Sequence, residues 1–390
     1  MQKRKRILLL IETSRSAGRE IIEGISRYVV KNQNWMIHLN ERHIVDKPTW
    51  LESWRGDGII TRTADINIHK VLNEKKIPFV ELHGDNGQIT LDVLVDEEQV
   101  AQLAADHLWN RGYQHYAFFA FGNAWWIESR SVCFAKALKK YGAKSLVCPL
   151  ITKKEIFPST IPDGKAIRKI ASWLLSLPKP IGIWTATDLD AFYVLEAAQL
   201  AGTPIPEEIA VLGTDNDPLL CRALVPQLSS VDINAQEIGY RAAELLEQRM
   251  VGKNPPVPIM TSPSHVHVRQ STDIIAIQDS DVARAVRYIR ENSNSPKLKV
   301  EHIADWCDIS VRTLQLKFKK QFLKSPEEEI LRTRIEHACR LLRDSDIKVS
   351  CIGEEIGFAS ASYFFHVFQK KKGLTPLAYR NIYRETKELE

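Results

Sequence analysis

The chain has 390 residues, 44% hydrophobic and 26% charged, with 18 Gly and 18 Pro; this is globular composition at a length that divides into two or three domains, which excludes a single small module, a collagen-like repeat and a disordered chain. The formal net charge of +5, from 53 basic and 48 acidic residues, is too small to name a partner for the whole chain, so its distribution carries the information. No apolar run reaches the ~18 residues of a membrane span, and the apolar stretch Ile7–Ile11 after a basic start stops at Glu12, too short for a signal peptide. A cytoplasmic protein with no membrane partner is expected. The six cysteines (133, 148, 221, 307, 339 and 351) contain no Cys-x-x-Cys pair, so buried free thiols are expected rather than a zinc cage or a disulfide framework.

From Arg6 to about Ser230 short β-rich runs alternate with amphipathic stretches of helical length, the pattern of parallel sheets covered by helices. A strand Arg6–Ile11 leads to a helix Gly18–Val30, and a strand Trp35–Asn40 follows. Gly58–Thr61 leads to a helix Ile66–Glu74, Pro78–Leu82 follows, and Val93–Asp96 feeds the long helix Glu97–Arg111. The cycle then repeats: Tyr116–Phe121 before a helix around Ser129–Tyr141, Ser145–Leu150 before Gly164–Ser176, Ile181–Ala186 before Asp188–Gly202, then the strand Ala210–Thr214. Two such sets predict an α/β unit of two doubly wound lobes facing a cleft, with the first crossover near residue 120. Around Val251–Ser271 the texture turns to Pro, Ser and Val, which reads as a last strand running into a connector; after Asp279 the pattern is all helical. The predicted division is a two-lobed unit at 1–272, a connector at 273–277 and an all-α unit at 278–390.

The helical unit contains a repeat at an offset of 50 residues. Ser310-x-x-x-Leu314-x-x-x-Phe318, followed by Ser325-Pro326, matches Ser360-x-x-x-Phe364-x-x-x-Phe368, followed by Thr375-Pro376. The i, i+4 pairs put two apolar anchors on one helix face, and Ser310 and Ser360 stand as N-caps. Upstream lie short helices, Val300–Cys307 and Val349–Ile356, and tight turns Cys307-Asp308-Ile309 and Gly357-Phe358-Ala359. Short helix, turn and capped helix make helix-turn-helix geometry, predicted at about 300–321 and 349–371. Val311–Lys324 carries five basic residues and no acid, and Ser360–Gly373 carries three and no acid. Residues 277–390 hold 21 basic against 17 acidic groups, net +4, leaving net +1 for residues 1–276. The positive charge therefore concentrates where lysines can displace counterions from DNA phosphates.

Residues Val300–Arg380 resemble the double helix-turn-helix DNA-binding domain of the AraC/XylS regulators, most specifically in Ile352-Gly-Glu-Glu-Ile-Gly357-Phe358-Ala-Ser360 through Phe368, Gly373, Thr375-Pro376 and Tyr379-Arg380. The resemblance implies two recognition helices joined by the helix Glu327–Arg343 and presented to successive major-groove faces about 34 Å apart. It puts Arg312, Gln315 and Leu316 of the first helix, and Ser362, Phe365 and His366 of the second, towards base edges. The family often has Arg where Leu316 and His366 stand; Leu316 can make only apolar contact, as with a thymine methyl, and Phe365 beside Phe364 is equally readable as packing. Lys317, Lys319, Lys320, Lys370, Lys371 and Lys372 are assigned to phosphates.

The two-lobed unit resembles the effector-binding core of the LacI/GalR regulators and the periplasmic sugar-binding proteins. The matching stretches are Val95-Asp96 leading to His107-Leu108-x3-Gly112, then Ser129-Arg130-Ser-Val-Cys-Phe134, then Ile183-Trp-Thr-Ala-Thr187-Asp188 and Val211-Leu-Gly213-Thr-Asp215-Asn216. A sugar needs fixed hydrogen-bond partners at strand ends facing a cleft, where Arg or carboxylate groups hold vicinal hydroxyls in pairs. Asp215, just past an apolar strand, is the first candidate, followed by Arg130, Asp188 and Asp96. Asp188 also reads as the N-cap of the helix that follows it, and Asp215 as a turn carboxylate. Trp125 and Trp126 are candidates for stacking on a sugar ring or for hinge packing, and His83 and Asp85 are weaker candidates of the same kind. His265-x-His267 has no neighbouring ligands to complete a metal site.

In LacI/GalR regulators the DNA reader is N-terminal, whereas here the sheet begins at Arg6 and the reader lies at the other end. That combination, over essentially all 390 residues, is similar to the xylose operon regulator family. The resemblance implies a transcriptional activator that binds double-stranded operator DNA as a homodimer, engages RNA polymerase, responds to a monosaccharide, D-xylose, and needs no cofactor or metal. Another monosaccharide or a nucleoside as effector on the same scaffold is the alternative. Catalysis is disfavoured by the lack of a Gly-x-Gly-x-x-Gly turn, a Walker loop and a Gly-x-Ser-x-Gly elbow. A phosphorylated receiver domain is disfavoured too, since the first strand ends on Ile11-Glu12-Thr13-Ser14 without an acidic pair.

Overall fold

The computed structural model describes residues 4–32, 35–40, 49–63, 66–83, 91–122, 124–148, 164–273, 279–322 and 324–381. They fall into two compact units, Met1–Ala276 and Ile277–Glu390.

In the first unit β1 (Lys5–Leu10), β2 (Trp35–Leu39), β3 (Gly58–Thr61) and β4 (Phe79–Glu81) form a parallel sheet in the order β2-β1-β3-β4. Helices cover both faces, so β3 is buried along its whole length and its sequence Gly-Ile-Ile-Thr shows no alternation. Leu10 pairs with Thr61 and Thr61 with Glu81, so β1, β3 and β4 end level and present the residues that follow them along one rim. A second strand pair, β5 (Val93–Val95) with β11 (Ile259–Thr261), completes this lobe. The other lobe is a six-stranded sheet of β6 (His115–Phe119), β7 (Ser145–Val147), β8 (Ile181–Thr185), β9 (Ile209–Thr214), β10 (Ser229–Val231) and β12 (Val266–His267), in the order β12-β10-β9-β8-β6-β7. Its strands are parallel except β12 at the edge.

The first crossover between lobes falls at residues 96–97, not near 120. Asp96 caps α4 (Glu97–Trp109), accepting from the amides of Glu98 and Gln99, and turns the chain from β5 into a helix that packs on α5 (Trp125–Lys139) in the second lobe. Further crossovers lie between β10 and α9 (Ala235–Met250) and between β11 and β12. α9 lies beyond the helices expected above, although its buried face carries Ile238, Leu245 and Leu246 at helical spacing beside the small residues Ala235, Gly239, Ala242 and Ala243. These small residues let α9 lie against α1 (Ser16–Asn32) at backbone distance: a Cβ on Gly239 would stand 1.9 Å from the Ile21 carbonyl oxygen. Gly239→Ala is expected to destabilise the unit by about 1–3 kcal/mol through overpacking, seen as a lower midpoint in thermal unfolding; an unchanged midpoint would place the two helices further apart.

The second unit is all helical: α10 (Ser280–Asn292), α11 (Val300–Trp306), α12 (Val311–Phe322), α13 (Pro326–Asp344), α14 (Val349–Glu355) and α15 (Ala361–Lys372). The repeat becomes two short-helix, turn, capped-helix units. Ser310 Oγ accepts from the Thr313 amide at 3.1 Å and Ser360 Oγ from the Tyr363 amide at 3.3 Å. Leu314, Phe318, Phe364 and Phe368 are fully buried, as the i, i+4 spacing predicts. The first turn uses Asp308 as its left-handed residue (φ 55°) and the second Gly357 (φ 89°), whose missing Cβ leaves room for the Ser293 and Asn294 carbonyls. Between them α13 starts with a reciprocal Ser325–Glu328 capping box.

Cys148, Cys221, Cys307 and Cys339 are buried, whereas Cys133 is half-buried and Cys351, on the solvent face of α14, is exposed. Among the described residues no group of His, Cys, Asp and Glu could hold a metal, and no helix is long and apolar enough to cross a membrane. His265 and His267 lie side by side with ring centroids 4.1 Å apart, and His267 Nε2 is 3.2 Å from Asp232 Oδ2.

Candidate functional site

A cavity of about 950 Å³ opens between the two lobes of the first unit. Its walls are the carboxyl ends of parallel strands, where a loop follows each strand and polar side chains converge, and the amino ends of α1, α5 and α7 (Asp188–Ala201). Of the sequence candidates it brings together Asp215, Arg130, Asp188, Trp125, Trp126 and His83. Asp96 is not among them: its carboxylate is spent on capping α4, and its neighbour Glu97 faces the cavity instead. Asp85 lies outside the described residues.

Asp215 follows β9 directly, in a left-handed conformation (φ 101°) shared with Asn216 (φ 55°). Its carboxylate lines the cavity and makes no side-chain hydrogen bond among the described residues. Burial pushes its pKa up to about 7, against the pull of Arg130 and Arg62. Opposite in sequence origin, Arg62 follows β3 and also lines the cavity, with no side-chain hydrogen bond among the described residues; burial pulls its pKa down while Asp215 and Glu12 hold it up. Arg62 escaped the sequence reading, although its place one residue past a strand of the sheet marks it by the same rule that marked Asp215. His83 follows β4; burial and Arg62 pull its pKa down to about 4, so near neutral pH it is an uncharged donor and acceptor.

Arg130 is almost fully buried, and its guanidinium is fixed by two bonds to Glu97, Nε to Oε2 and Nη2 to Oε1, both 2.7 Å, and by donation to the Ala186 carbonyl oxygen. It lies over the Trp126 ring, 5.2 Å from the centroid. Of five N–H donors three are used, leaving two for a ligand. The helix α5 begins at Trp125, four residues earlier than the predicted start, so both tryptophans sit in its first turn on the cavity wall, and Trp126 packs against Arg130.

Asp188 is fully engaged. Its carboxylate accepts from Ser230 Oγ at 2.5 Å, the Asp217 amide at 2.7 Å and Cys221 Sγ at 3.3 Å, while Thr187 is the N-cap of α7. Burial and Asp215 raise its pKa to about 8. Asp188 therefore holds the loop that carries Asp215 rather than presenting free oxygens to the cavity. Asp190 does similar work, accepting from the Phe121 amide at 3.0 Å and Thr187 Oγ1 at 2.8 Å.

In the second unit Arg312, Gln315, Leu316, Ser362 and His366 are all exposed on the outer faces of α12 and α15. Leu316 is 61% exposed, an apolar side chain left on a face otherwise basic and polar. Phe365 is half-buried and packs edge-on against Phe364, 5.6 Å between centroids, so of its two readings packing is the one the rings support; Tyr363, 56% exposed, is the aromatic on the open side. Lys319, Lys320, Lys370, Lys371 and Lys372 are exposed. Lys317 is part-exposed and ion-paired, its Nζ 2.8 Å from Asp279 and 2.6 Å from Asp281 at the start of α10. Replacing Lys370 and Lys371 with alanine is expected to flatten the salt dependence of DNA binding by about 0.9 in log–log slope for each phosphate no longer neutralised, with base preference unchanged; fluorescence anisotropy over a salt series reads both.

Three family models match consecutive parts of the chain: an XylR N-terminal domain at residues 6–108, a periplasmic binding protein-like domain at 105–272 and a helix-turn-helix domain at 303–382. Over 400 residues the chain is 29% identical to the xylose operon regulatory protein of Escherichia coli K12, covering 98% of both chains. It is 29% identical over 395 residues to the protein of the same name from Haemophilus influenzae, covering 96% of this chain and 98% of that one. A solved structure of a xylose-binding transcription activator superposes with a TM-score of 0.79 at 28% identity, covering 98% of this chain and 99% of the other. A LacI family regulator from Enterococcus faecium, solved with bound ribose, covers 68% of this chain and 97% of its own, with a TM-score of 0.54 and 21% identity, and shares the fold. The chain is thus a DNA-binding transcription regulator of the same build as the xylose operon regulatory proteins, a periplasmic-binding-protein-like sensor followed by a helix-turn-helix reader, and not an enzyme.

Proposed function

We propose that the interlobe cavity takes D-xylose as effector, and that its occupancy alters operator binding by a homodimer which activates a pentose-utilisation operon in the cytoplasm through RNA polymerase. The observation that carries the effector reading is the pair Asp215 and Arg62, charged side chains from opposite lobes that line one cavity and make no side-chain hydrogen bond among the described residues. A carboxylate accepts from sugar hydroxyls, a guanidinium donates to them, and an uncharged ligand suits a sensor of net charge +1 over residues 1–276. Only a difference in sugar affinity between lobe arrangements can bias DNA binding, typically by about 1–3 kcal/mol. The name shared by the relatives, and the xylose-binding character of the solved activator, favour xylose among the monosaccharides.

A thermal-shift screen of the full chain against pentoses, hexoses and nucleosides tests the ligand class: at about 100 times its dissociation constant the true effector adds about 2.7 kcal/mol. No shift with any pentose would overturn the reading. The pH dependence follows from Asp215. A hydroxyl that donates to it binds the ionised carboxylate more tightly than the protonated one, so ligand lowers a pKa that stands at about 7 in the free protein. Affinity is therefore level above about pH 7 and falls as pH drops through it, by up to about tenfold per pH unit until the bound-state pKa is reached. Titration calorimetry across that range, with the Asp215→Asn variant losing the pH dependence, checks the sign.

A further inference from the structure

The turn that presents Asp215 is tied to the end of the sensor by one side chain. Asn216 Oδ1 accepts from Arg269 Nη2 at 2.8 Å, and Arg269 Nη1 donates to the Leu228 carbonyl oxygen at 2.8 Å. The backbone of Arg269 closes on a single hydroxyl: its amide donates to Ser229 Oγ at 2.7 Å, and that hydroxyl faces its carbonyl oxygen at 2.9 Å. From there the bonds continue into the 3₁₀ turn Gln270–Thr272, with Ser271 Oγ donating to the Val211 carbonyl oxygen at 2.6 Å and Thr272 Oγ1 to Ser229 Oγ at 2.7 Å. Thr272 Oγ1 also lies 2.8 Å from His107 Nε2, a buried ring whose pKa is pulled down to about 3 by burial and Arg111, so it stays neutral. Residue 273 then leads into the segment 274–278, and the helical unit follows.

The turn itself is poised. Two consecutive residues, neither of them glycine, hold positive φ, a conformation that persists only where surrounding bonds fix it. Each turn residue has a different attachment: Asn216 N donates to Ser230 Oγ at 3.0 Å, Asp217 N to Asp188 at 2.7 Å, and Asp217 pairs at 3.3 Å with Arg19 of the opposite lobe. Of these attachments the Asn216–Arg269 bond is the one that leads from the turn to the sensor's last turn, Gln270–Thr272.

We infer that Arg269, through Asn216, is the positioning residue that transmits occupancy of the cavity to the sensor's last turn and hence to the connector. The inference rests on the cavity being the effector site, but its coupling does not require that the effector be xylose.

The test is hydrogen exchange by mass spectrometry on the full chain, reading peptides that span residues 266–280, with D-xylose binding measured in parallel by calorimetry. In the wild type D-xylose changes exchange in these peptides. Asn216→Gly keeps the left-handed backbone and removes the acceptor; Arg269→Lys keeps the charge and loses the fork. In both, D-xylose still binds to within about twofold, the scatter expected of uncoupled sites, while its effect on the 266–280 peptides is lost; Asn216→Asp, which restores an acceptor, restores the effect. A second arm needs no sugar: Asp215→Asn shifts exchange of these peptides in the wild-type background and not in Arg269→Lys. Retention of either response in Arg269→Lys overturns the inference. If D-xylose fails to bind the wild type but Asp215→Asn still moves the peptides through Arg269, the effector assignment fails and the coupling stands; if neither moves them, the coupling fails.

Discussion

Replacing Asp215 with alanine is expected to weaken D-xylose binding about 30- to 150-fold, the cost of losing a charge-assisted hydrogen bond of about 2–3 kcal/mol inside a desolvated site. The loss has two parts. A sugar hydroxyl placed against the missing carboxylate would be stranded away from water, and Arg62 and Arg130 would lose the anion that now offsets their burial. Because residue 215 holds a φ of 101°, alanine adds backbone strain, and Asp215→Asn separates the two effects: it tolerates the left-handed turn better and removes only the charge. Arg62→Ala should act on the same ligand with comparable size, whereas Asp96→Ala, which removes a helix cap outside the cavity, should cost stability of about 1 kcal/mol and leave sugar affinity nearly unchanged. Calorimetry on the four variants distinguishes these outcomes. Equal affinity in Asp215→Ala and the wild type would mean that the ligand sits elsewhere.

Truncating Phe364 to alanine is expected to cost about 3–5 kcal/mol in the C-terminal unit. Phe364 is fully buried and meets Phe358, Phe365 and Phe368 at ring-centroid distances of 5.4, 5.6 and 5.7 Å, so its removal opens a void in the core that seats the second recognition helix. For a helical unit of 114 residues that is a large share of a stability of about 5–15 kcal/mol. Near-ultraviolet dichroism and DNA binding should both be lost on mild heating, while the sugar-induced thermal shift of the sensor persists. Retained DNA affinity at the wild-type midpoint would show that α15 is held by other neighbours.

Much of this was legible because two kinds of signal are local. The β-rich runs before helical stretches located β1, β3 and β8 within a residue, and the 50-residue repeat located both helix-turn-helix elements together with their caps and buried anchors. Asp215 was placed at the cavity because it stands at a recognisable strand end, and Arg130 because Ser129-Arg130-Ser-Val-Cys-Phe134 resembles a LacI/GalR helix. What stayed hidden depends on partners distant in sequence. That Lys317 is ion-paired follows from Asp279 and Asp281, 38 and 36 positions away, and nothing in the acid-free run around it reveals them. That Asp188 is a support rather than an open ligand follows from Ser230 and Cys221 folding over it. The first crossover was misplaced because a cap such as Asp96 looks the same whether its helix returns to one sheet or departs for another, and the sheet order decides.

The two units meet functionally in one measurement. DNA duplexes selected from a random pool for binding to the full chain, titrated by fluorescence anisotropy with and without saturating D-xylose, report whether occupancy of the cavity reaches the reader. A coupling of about 1–3 kcal/mol appears as a roughly 5- to 150-fold change in DNA affinity, abolished by Asp215→Ala. Equal affinity with and without D-xylose, and with every other pentose, hexose and nucleoside tried, would contradict a sensor coupled to its reader.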